Sequence, residues 1–342
     1  MHINSLSDCR YEYFSQLLLE YYTVLAMSWA MQVITFKPLY MERVWGGREL
    51  EKIFKRELPT ADLPYGEAWE MSDRPDEQSI VNHGPLKGTT LNELWQNKRE
   101  EIFGSGLDDS PRFPLLIKIL DARDKLSIQV HPPAEIAPEL GGEAKTEMWY
   151  IADVTPGAKL YVGLKAGITK ADFQNAIEKG IVDQAVHSIT PKRGDSIFIP
   201  SGRLHAIGAG LVIYEIQQNS DTTYRVFDWN RMGLDGVPRD LHVEQSMRCI
   251  DFIDVEPAMD EPNGNTLASC PHFHVDRLNL SAGTMLGNPD QERFSVVTVV
   301  SGELESSDGK THKEGDMLLL PRASHGLRAA ADSIVLQTTI PR

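Results

Sequence analysis

Residues 126–150 constrain the fold of this chain more than any other stretch. They open with a Gln-Val-His triplet at 129–131, where the two polar residues alternate and therefore share one face of a strand. They close with Lys-Thr-Glu at 145–147, which repeats the alternation directly before an apolar run. The loop between the triplets contains proline and glycine and cannot continue either strand. Two strands therefore direct polar side chains to a face that the rest of the sequence makes apolar.

These polar residues, together with a histidine further along the chain, predict a divalent-metal site. His205 follows a predicted buried strand and a turn with proline and glycine at 200–204. The imidazoles of His131 and His205, the carboxylate of Glu147 and the amide oxygen of Gln129 form a ligand set for such a metal. Glu147 strengthens the prediction, because an unpaired carboxylate in an apolar strand is costly to bury. Gln129 is the least specific, since an alternating strand can carry a glutamine with no special role.

Short apolar runs separated by turn signals predict a mainly β protein. Between residues 32 and 81 the turns include Trp-Gly-Gly at 45–47 and Arg-Pro-Asp at 74–76. Frequent turns of this kind are typical of a sandwich or barrel of short strands. Two helices are predicted, over residues 91–103 and 169–179. Residues 113–120, a nearly continuous apolar run that includes Lys118, are expected to form a buried strand.

A turn-strand-proline-histidine pattern occurs twice and indicates an internal repeat. The first copy is Gly-x5-Pro-x4-His at 194–205, and the second is Gly-x5-Pro-x3-His at 315–325. The second copy has no histidine and glutamate at matching strand positions. We therefore predict a metal-binding barrel over residues 32–250, a proline-containing linker over 251–271, and a second barrel without a metal over 272–342.

Residues 1–31 are predicted to be an extension outside the fold. Their apolar run at 17–29 is interrupted by Glu20 and follows acidic rather than basic residues, which argues against a signal peptide. The run is also too short to span a membrane. A segment with regular patterning starts after Met31, so the fold is expected to begin there.

Composition and charge narrow the range of functions. The chain has 342 residues, of which 41% are hydrophobic and 24% charged, as is usual for a soluble protein. It carries 34 Lys and Arg against 49 Asp and Glu, a net charge of -15, so no general binding to nucleic acid or to an acidic membrane is expected. A few basic residues in a pocket can still bind an anionic small molecule. The scattered Cys9, Cys249 and Cys270 fit a reducing cytoplasm.

Four motifs in combination resemble the cupin-type (type I) mannose-6-phosphate isomerases in their short bacterial form. They are Gln-Val-His-Pro at 129–132, Lys-x-Glu-Met-Trp-Tyr at 145–150, Pro-Ser-Gly-x-x-His-Ala-Ile at 200–207, and the neighbourhood of Tyr224-Arg225. The resemblance extends over about residues 33–342. It implies two cupin units, which are jelly-roll β-barrels, with a few short helices. The span from Glu147 to His205 is too short for the helical domain of the longer enzymes.

The resemblance also implies a zinc-dependent aldose–ketose isomerase that acts on a sugar phosphate. The family's ligands for one zinc ion per chain fall on Gln129, His131, Glu147 and His205, and its active-site arginine falls on Arg225. The reaction interconverts mannose 6-phosphate and fructose 6-phosphate through a cis-enediol. It requires a Lewis acid, a base, and a cation that stabilises the enediolate. A nucleotide-binding motif is absent from the sequence, so no nucleotide cofactor is expected.

Arg225, Glu215 and Lys145 are the candidate catalytic residues, and each has an alternative role. Glu215 is the candidate acid or base, or it orients a ligand histidine. Lys145 either binds the phosphate or pairs with a carboxylate. Arg225 stabilises the enediolate, or it pairs at the surface with Asp221 or Asp228.

Two other functions are compatible with the sequence. A cupin-type glucose-6-phosphate isomerase would use similar chemistry, and a non-catalytic sugar-binding metal cupin would have lost a ligand or the arginine. The ligand spacing and the context of Arg225 favour the mannose-6-phosphate isomerase. The sequence predicts no oligomeric state.

Overall fold

A computed structural model describes residues 32–342 of the chain, and the expected extension over residues 1–31 lies outside them. The described part consists of two β-barrel units, each built from two facing sheets, with a few short helices. This architecture confirms the prediction of a mainly β protein with two jelly-roll units. None of the helices within residues 32–342 is long and apolar enough to cross a membrane.

The secondary-structure elements of the described residues are mostly short strands. The strands are β1 (Phe36–Lys37), β2 (Leu39–Gly47), β3 (Tyr65–Met71), β4 (Ile80–Val81), β5 (Leu115–Ala122), β6 (Ile128–Val130), β7 (Glu147–Val154), β8 (Leu160–Leu164), β9 (Val186–Ile189), β10 (Ser196–Ile199), β11 (His205–Ile207), β12 (Leu211–Gln218), β13 (Tyr224–Phe227), β14 (Thr266–Ser269), β15 (His274–Leu280), β16 (Met285–Leu286), β17 (Ser295–Ser301), β18 (Glu303–Ser306), β19 (Thr311–Lys313), β20 (Met317–Leu320), β21 (Leu327–Ala329) and β22 (Ser333–Thr339). The α-helices are α1 (Glu49–Phe54), α2 (Leu91–Asn97), α3 (Lys170–Glu178) and α4 (Val243–Cys249). One π-helical turn (Arg99–Phe103) and two 3₁₀ turns (Pro138–Leu140 and Val182–Gln184) complete the set.

The two barrels share one strand order, as the internal repeat predicts. In the first barrel one sheet runs β10-β7-β12-β5-β3-β2 and the facing sheet runs β13-β6-β11-β8-β9. In the second barrel the sheets run β20-β17-β22-β15-β14 and β16-β21-β18-β19. Strand β7 therefore corresponds to β17, β6 to β16, and β11 to β21. This correspondence allows the metal-site positions of the first barrel to be compared directly with those of the second.

Alternation along β7 shows how the sequence produces a polar site inside an apolar barrel. Trp149 and Ile151 contribute to the apolar interior of the first barrel, and Glu147 shares their face. Met148 and Tyr150 alternate with them and pack into the core between the two barrels. Because both faces of this strand are buried, one residue at the end of an otherwise apolar face can be charged only if the fold gives it a partner.

The facing sheet of the first barrel is covered on its outer side by α3 and α4. Phe173 of α3 and Cys249 of α4 pack with outward-facing residues of β6, β11 and β13. Thr169 caps α3, accepting a hydrogen bond from the Asp172 amide while the Asp172 side chain accepts from the Thr169 amide. The helices therefore support the strands that carry the predicted metal ligands.

The structure departs from the sequence predictions at three places. The predicted linker, residues 251–271, packs against both barrels, because Val255 bridges Leu164 of β8 and β14 pairs with β15. The helix predicted over residues 91–103 ends at Asn97 and is followed by a π-helical turn, where the chain bends towards the second barrel. Helices α1 and α4 are too short to give a clear periodic signal, and the sequence patterns missed them.

An aromatic cluster joins the two barrels. The Phe294 ring, just before β17, lies 5.2 Å from the Phe103 ring and 5.7 Å from the Phe113 ring, and Trp95 lies 5.0 Å from Phe103. All four side chains are buried in the core between the barrels. Edge-to-face packing adds to the burial of these rings. This core couples the stability of one barrel to that of the other.

We expect Phe294→Ala to lower the free energy of unfolding by about 3–5 kcal/mol, the usual cost of a large core cavity. Urea denaturation, followed by tryptophan fluorescence and by circular dichroism, measures this loss. Ile253→Ala removes an aliphatic side chain that is 88% exposed and serves as the control, with a change within about 0.5 kcal/mol. A loss below about 1 kcal/mol for Phe294→Ala would mean that the cluster does not join the barrels.

Candidate active site and metal centre

Three of the predicted metal ligands converge in the first barrel. His131 directly follows β6, Glu147 opens β7, and His205 opens β11. Their donor atoms all lie within 4.8 Å of one another, and this is the only such group of three within residues 32–342. His131 Nε2 is 3.5 Å from Glu147 Oε2, and His205 Nε2 is 3.6 Å from Glu147 Oε1. The two facing sheets of the barrel thus contribute to one cluster, β6 and β11 from one sheet and β7 from the other.

A backbone carbonyl orients each histidine of the cluster. The Nδ1–H of His131 donates to the carbonyl oxygen of Thr222 at 2.8 Å. The Nδ1–H of His205 donates to the carbonyl oxygen of Arg203 at 2.9 Å. Because Nδ1 carries the proton in both rings, the unprotonated Nε2 atoms face the cluster as metal ligands require.

The charges at the cluster match those of a metal-binding set. Burial and the nearby Lys145 ammonium lower the pKa of His131 to about 3, and burial lowers the pKa of His205. Burial opposes the charged form of Glu147, but the Lys145 ammonium outweighs it and holds the pKa of that carboxyl well below its ordinary value. The cluster therefore presents two neutral imidazoles and one carboxylate, as zinc sites of this composition do.

Three of the four polar atoms that face the centre of the cluster lack hydrogen-bond partners in the described part of the chain. His131 Nε2 and both carboxylate oxygens of Glu147 are buried and make no hydrogen bond within residues 32–342. Lys145 Nζ contacts Glu147 Oε2 at 3.1 Å as an ion pair, without hydrogen-bond alignment. Buried polar atoms without partners are rare, and a metal ion at this point would satisfy all three. The residues present therefore fit a zinc ion.

Gln129 lies next to the cluster and contacts one of its histidines. It is the cross-strand partner of His205, and its amide nitrogen donates to His205 Nε2 at 3.2 Å. Its oxygen accepts a hydrogen bond from Ser127 Oγ at 3.1 Å. Rotating the amide by half a turn exchanges the two atoms, and the Ser127 hydroxyl can then accept instead of donate. Gln129 becomes a metal ligand only in that second orientation.

Glu215 lies in the same barrel interior, held by an indole and an ammonium group. The indole N–H of Trp149 donates to Glu215 Oε2 at 3.2 Å, and Lys118 Nζ lies 3.4 Å from Oε1. Burial and the Glu147 carboxylate raise the pKa of Glu215. Neither ligand histidine uses Glu215 as its orienting partner, because both donate to backbone carbonyls. The contacts therefore favour the acid or base role over the orienting role.

Lys118 and Glu67 belong to the site although the sequence patterns did not single them out as site residues. Lys118 Nζ lies 3.8 Å from Glu67 Oε2 and 4.9 Å from the Trp69 ring centroid. Glu67 also accepts from Arg43 Nε at 2.9 Å and from the Trp69 indole at 2.5 Å. A lysine inside an apolar strand is a signal that a buried partner exists, but the partner lies on β3, about fifty residues earlier in the chain.

Arg225 reaches the same interior from β13. It pairs across the sheet with Gln129, which pairs with His205, so the three residues form one row across neighbouring strands. Arg225 Nη1 donates to the carbonyl oxygen of Asp240 at 2.9 Å, and its Nε is buried without a hydrogen bond in the described part of the chain. Asp228 instead binds Arg231 at 2.8 Å and Arg239 at 2.5 Å. The alternative pairing of Arg225 with Asp228 is therefore not observed.

A cavity of about 580 Å³ opens over these residues. This volume lies in the usual range for small-molecule sites. The cavity extends to the cluster of predicted metal ligands. Gln129, which contacts His205, and Lys145, which contacts Glu147, both line the cavity. Five cationic side chains line it within a chain of net charge -15: Arg43, Lys118, Lys145, Arg225 and Arg239. Five carboxylates also line it: Glu42, Glu67, Glu215, Asp221 and Asp235. The lining is therefore mixed in charge, and Arg225, whose Nε–H makes no hydrogen bond in the described part of the chain, is the cation best able to bind an anionic ligand.

The corresponding positions of the second barrel form a closed hydrogen-bond network. By strand register, Leu286 corresponds to Gln129, Asn288 to His131, Ser295 to Glu147 and Leu327 to His205. The hydroxyl of Ser295 donates to Asn288 Oδ1 at 2.7 Å and accepts from Gln337 Nε2 at 3.0 Å. The amide of Asn288 donates to the carbonyl oxygen of Pro321 at 2.7 Å. The uncharged side chains of the second barrel satisfy one another's hydrogen bonds, whereas the predicted metal ligands of the first barrel do not.

Comparisons with known proteins identify relatives of this chain. Residues 33–157 match the family described as phosphomannose isomerase type I, catalytic domain. The chain is 39% identical over 298 residues to the mannose-6-phosphate isomerase ManA of Bacillus subtilis. The aligned region covers 84% of this chain and 92% of that protein. The chain is 37% identical over 303 residues to the mannose-6-phosphate isomerase of Streptococcus mutans, covering 83% and 92% of the two chains. The crystal structure of the mannose 6-phosphate isomerase from Bacillus subtilis superposes with a TM-score of 0.80 at 33% identity, covering 90% of this chain and 100% of that one.

We expect Glu67→Gln to destabilise the protein in a pH-dependent way. Burial opposes the charged form of Glu67, but Lys118, Arg43 and the Trp69 indole outweigh it and lower the pKa to about 2. A lowered carboxyl pKa contributes stability that is present above the ordinary pKa of about 4.5 and is lost as the pH falls towards 2. Urea denaturation should show a loss on the order of 3 kcal/mol at pH 7 that shrinks below about pH 4.5. A loss that is independent of pH would contradict the assignment.

Proposed function

Because this chain belongs to the type I phosphomannose isomerase family, we propose that it interconverts mannose 6-phosphate and fructose 6-phosphate in a zinc-dependent reaction. The observation that carries the proposal is the buried cluster of His131, Glu147 and His205 beside a cavity whose lining includes Arg225. The cluster supports a metal site, and the unpaired Nε–H of Arg225 supports an anionic sugar as the substrate. The substrate itself comes from the named relatives, two of which are mannose-6-phosphate isomerases with 37% and 39% identity.

His131, Glu147 and His205 would hold one zinc ion per chain, with Gln129 as a fourth ligand in its flipped orientation. Two nitrogens and a carboxylate leave coordination positions for substrate oxygens, as catalytic zinc sites do. Zinc, when bound, supplies a Lewis acid that polarises the oxygens at C1 and C2 of the sugar.

Glu215 would move the proton between C1 and C2. The reaction removes a proton from one carbon, passes through a cis-enediol and returns the proton to the other carbon, so one group must act first as base and then as acid. The raised pKa of Glu215 brings its two protonation states closer to neutral pH, which suits both roles. The nearby Lys118 and the Trp149 indole hold the carboxylate in position.

Arg225 would stabilise the negative charge that develops on the enediolate oxygens. The Nε–H of Arg225 is buried without a hydrogen-bond partner in the described part of the chain, so it is free to donate to an enediolate oxygen. Lys145 pairs with Glu147 at 3.1 Å, which is the second of its two expected roles, and it would keep that ligand carboxylate ionised. The Glu147 carboxylate, with Glu215 and Asp221, outweighs burial and raises the pKa of Lys145, so its ammonium stays charged. A fixed cation in a site that excludes water costs little reorganisation at the transition state.

A coupled assay that detects fructose 6-phosphate formed from mannose 6-phosphate tests the proposal. The purified protein should turn over this substrate, lose activity in excess chelator, and regain it when zinc is added back. Full activity of metal-free protein would contradict the zinc requirement. Turnover of glucose 6-phosphate without turnover of mannose 6-phosphate would contradict the substrate.

We expect His205→Ala to lose both bound zinc and activity, because one of three ligands is removed. His325→Ala is the matched control, since His325 is the histidine of the second turn-strand-proline-histidine copy and is exposed. Elemental analysis of the dialysed proteins, together with the coupled assay, compares the two variants. Full zinc content and activity in His205→Ala would contradict the assignment of His205 as a zinc ligand.

We expect Arg225→Ala to lower kcat by about 10²–10³, the usual effect of losing one preorganised donor to a developing oxyanion. KM should change less and the zinc content should stay normal, because Arg225 acts on the transition state and its side chain is not one of the proposed metal ligands. Arg328→Ala, at an arginine on β21 of the second barrel that is 50% exposed, is the control and should match the wild type. A rise in KM alone would mean that Arg225 binds the ground state and the transition state equally.

A further inference from the structure

The loop between β6 and β7, residues 132–146, joins two predicted metal ligands and carries Lys145. We call it the site loop. It is tied to residues 218–224, from the end of β12 to the start of β13, by five hydrogen bonds, one of which joins the Gln218 amide to the carbonyl oxygen of Thr146 at 3.0 Å. The Thr146 amide donates to Gln218 Oε1 at 2.8 Å, and the Ser220 hydroxyl donates to the carbonyl oxygen of Glu143 at 3.0 Å. The Glu143 amide donates to Thr222 Oγ1 and the Tyr224 hydroxyl donates to the carbonyl oxygen of Leu140, each at 3.0 Å.

Thr222 links the site loop to the cluster of predicted metal ligands. Its carbonyl oxygen accepts the Nδ1–H of His131 at 2.8 Å, and its hydroxyl accepts the Glu143 amide at 3.0 Å. Thr222 lies between β12 and β13, so no sheet hydrogen bond fixes the direction of its carbonyl. The direction of the carbonyl that orients His131 therefore depends on the local hydrogen bonds of residues 220–222.

The site loop itself is held firmly at the point where it meets Thr222. Glu143 forms ion pairs with Arg74 at 2.6 Å and with Arg112. Gly142 packs so closely that a Cβ atom there would lie 2.6 Å from Tyr224 Oη and 2.7 Å from Thr222 Cγ2. Both observations place the Glu143 amide rigidly against the Thr222 hydroxyl.

The second ligand histidine is supported by the same kind of arrangement. His205 donates to the carbonyl oxygen of Arg203, and the Arg203 guanidinium binds both carboxylate oxygens of Asp254 at 2.9 Å. In each case a residue in a turn offers its carbonyl to the histidine, and its side chain is anchored elsewhere. Partners that orient a ligand histidine fix its ring and raise its basicity, and their loss typically costs metal affinity.

We propose that Thr222 is a positioning residue of the metal site, whose hydroxyl bond to Glu143 fixes the carbonyl that orients His131. The proposal rests on the proposed function, because it requires that the protein binds zinc at His131. It also assigns a role to the site loop, which keeps His131, Lys145 and Glu147 at fixed distances from one another.

Thr222→Val and Thr222→Ser test the proposal, because valine keeps the shape of threonine without the hydroxyl and serine keeps the hydroxyl. Thr169→Val is the matched control, since it removes the hydroxyl that caps α3 on the far side of the sheet from the cluster. Each holoenzyme is titrated with a chromophoric chelator of known zinc affinity. If Thr222→Val does not fold, Thr222→Ala is used in its place, because it removes the same hydroxyl.

We expect the zinc affinity of Thr222→Val to fall by about 10- to 100-fold. The affinities of Thr222→Ser and Thr169→Val should stay close to the wild-type value, although Thr169→Val lowers Tm. Saturating zinc should restore the kcat of Thr222→Val. A wild-type zinc affinity in Thr222→Val, an equal loss in Thr222→Ser, or a kcat that saturating zinc does not restore would overturn the proposal. A wild-type protein that binds no zinc would instead overturn the proposed function.

Discussion

The site depends on one buried carboxylate. Glu147 is fully buried, its charged form is stabilised, and its nearest polar neighbours are two neutral imidazoles and the Lys145 ammonium. A buried carboxylate is costly unless cations and donors surround it, and Lys145 alone reaches only one of the two oxygens. A divalent cation between Glu147, His131 and His205 would satisfy these oxygens and nitrogens. The proposed metal site thus follows from a single requirement for charge balance.

The jelly-roll barrel meets this requirement because it brings strand ends from two facing sheets together. Glu147 opens a strand of one sheet, while His131 and His205 flank neighbouring strands of the other. The second barrel shows what the same architecture does without the carboxylate. Ser295 stands where Glu147 stands, and its neighbours Asn288 and Gln337 satisfy it with neutral hydrogen bonds. The two barrels therefore differ in a few side chains at matching positions and in two edge strands of the first barrel, β2 and β13, that have no counterpart in the second.

The sequence predicted the metal cluster because its members interrupt regular patterns. His131 and Glu147 are polar residues at the ends of apolar strands, and His205 follows a turn that recurs later in the chain. The same logic predicted the two barrels from turn spacing and from the repeat. Boundaries were less accurate, because short helices such as α1 and α4 give no periodic signal and are set by packing.

Partners that are distant in sequence could not be predicted. Lys118 was visible as a charge in a buried strand, but nothing local pointed to Glu67 on β3 or to the ion pair with Glu215. Thr222 has no sequence signal either, since it acts through its backbone carbonyl in an irregular segment. The proposed role of Arg225 came from the family resemblance and that of Glu215 from its place on a strand face, and the contacts of both residues support these proposals. Residues that act through tertiary contacts can be identified only once the structure shows which strands pair.

X-ray diffraction from crystals of the zinc-loaded protein, recorded on both sides of the zinc absorption edge, tests the central claim most directly. The account predicts one anomalous peak in the first barrel, about 2.0–2.2 Å from His131 Nε2, His205 Nε2 and a Glu147 carboxylate oxygen. It predicts no peak between Asn288 and Ser295 of the second barrel. A first barrel without a peak, or a zinc ion bound by other residues, would contradict the account.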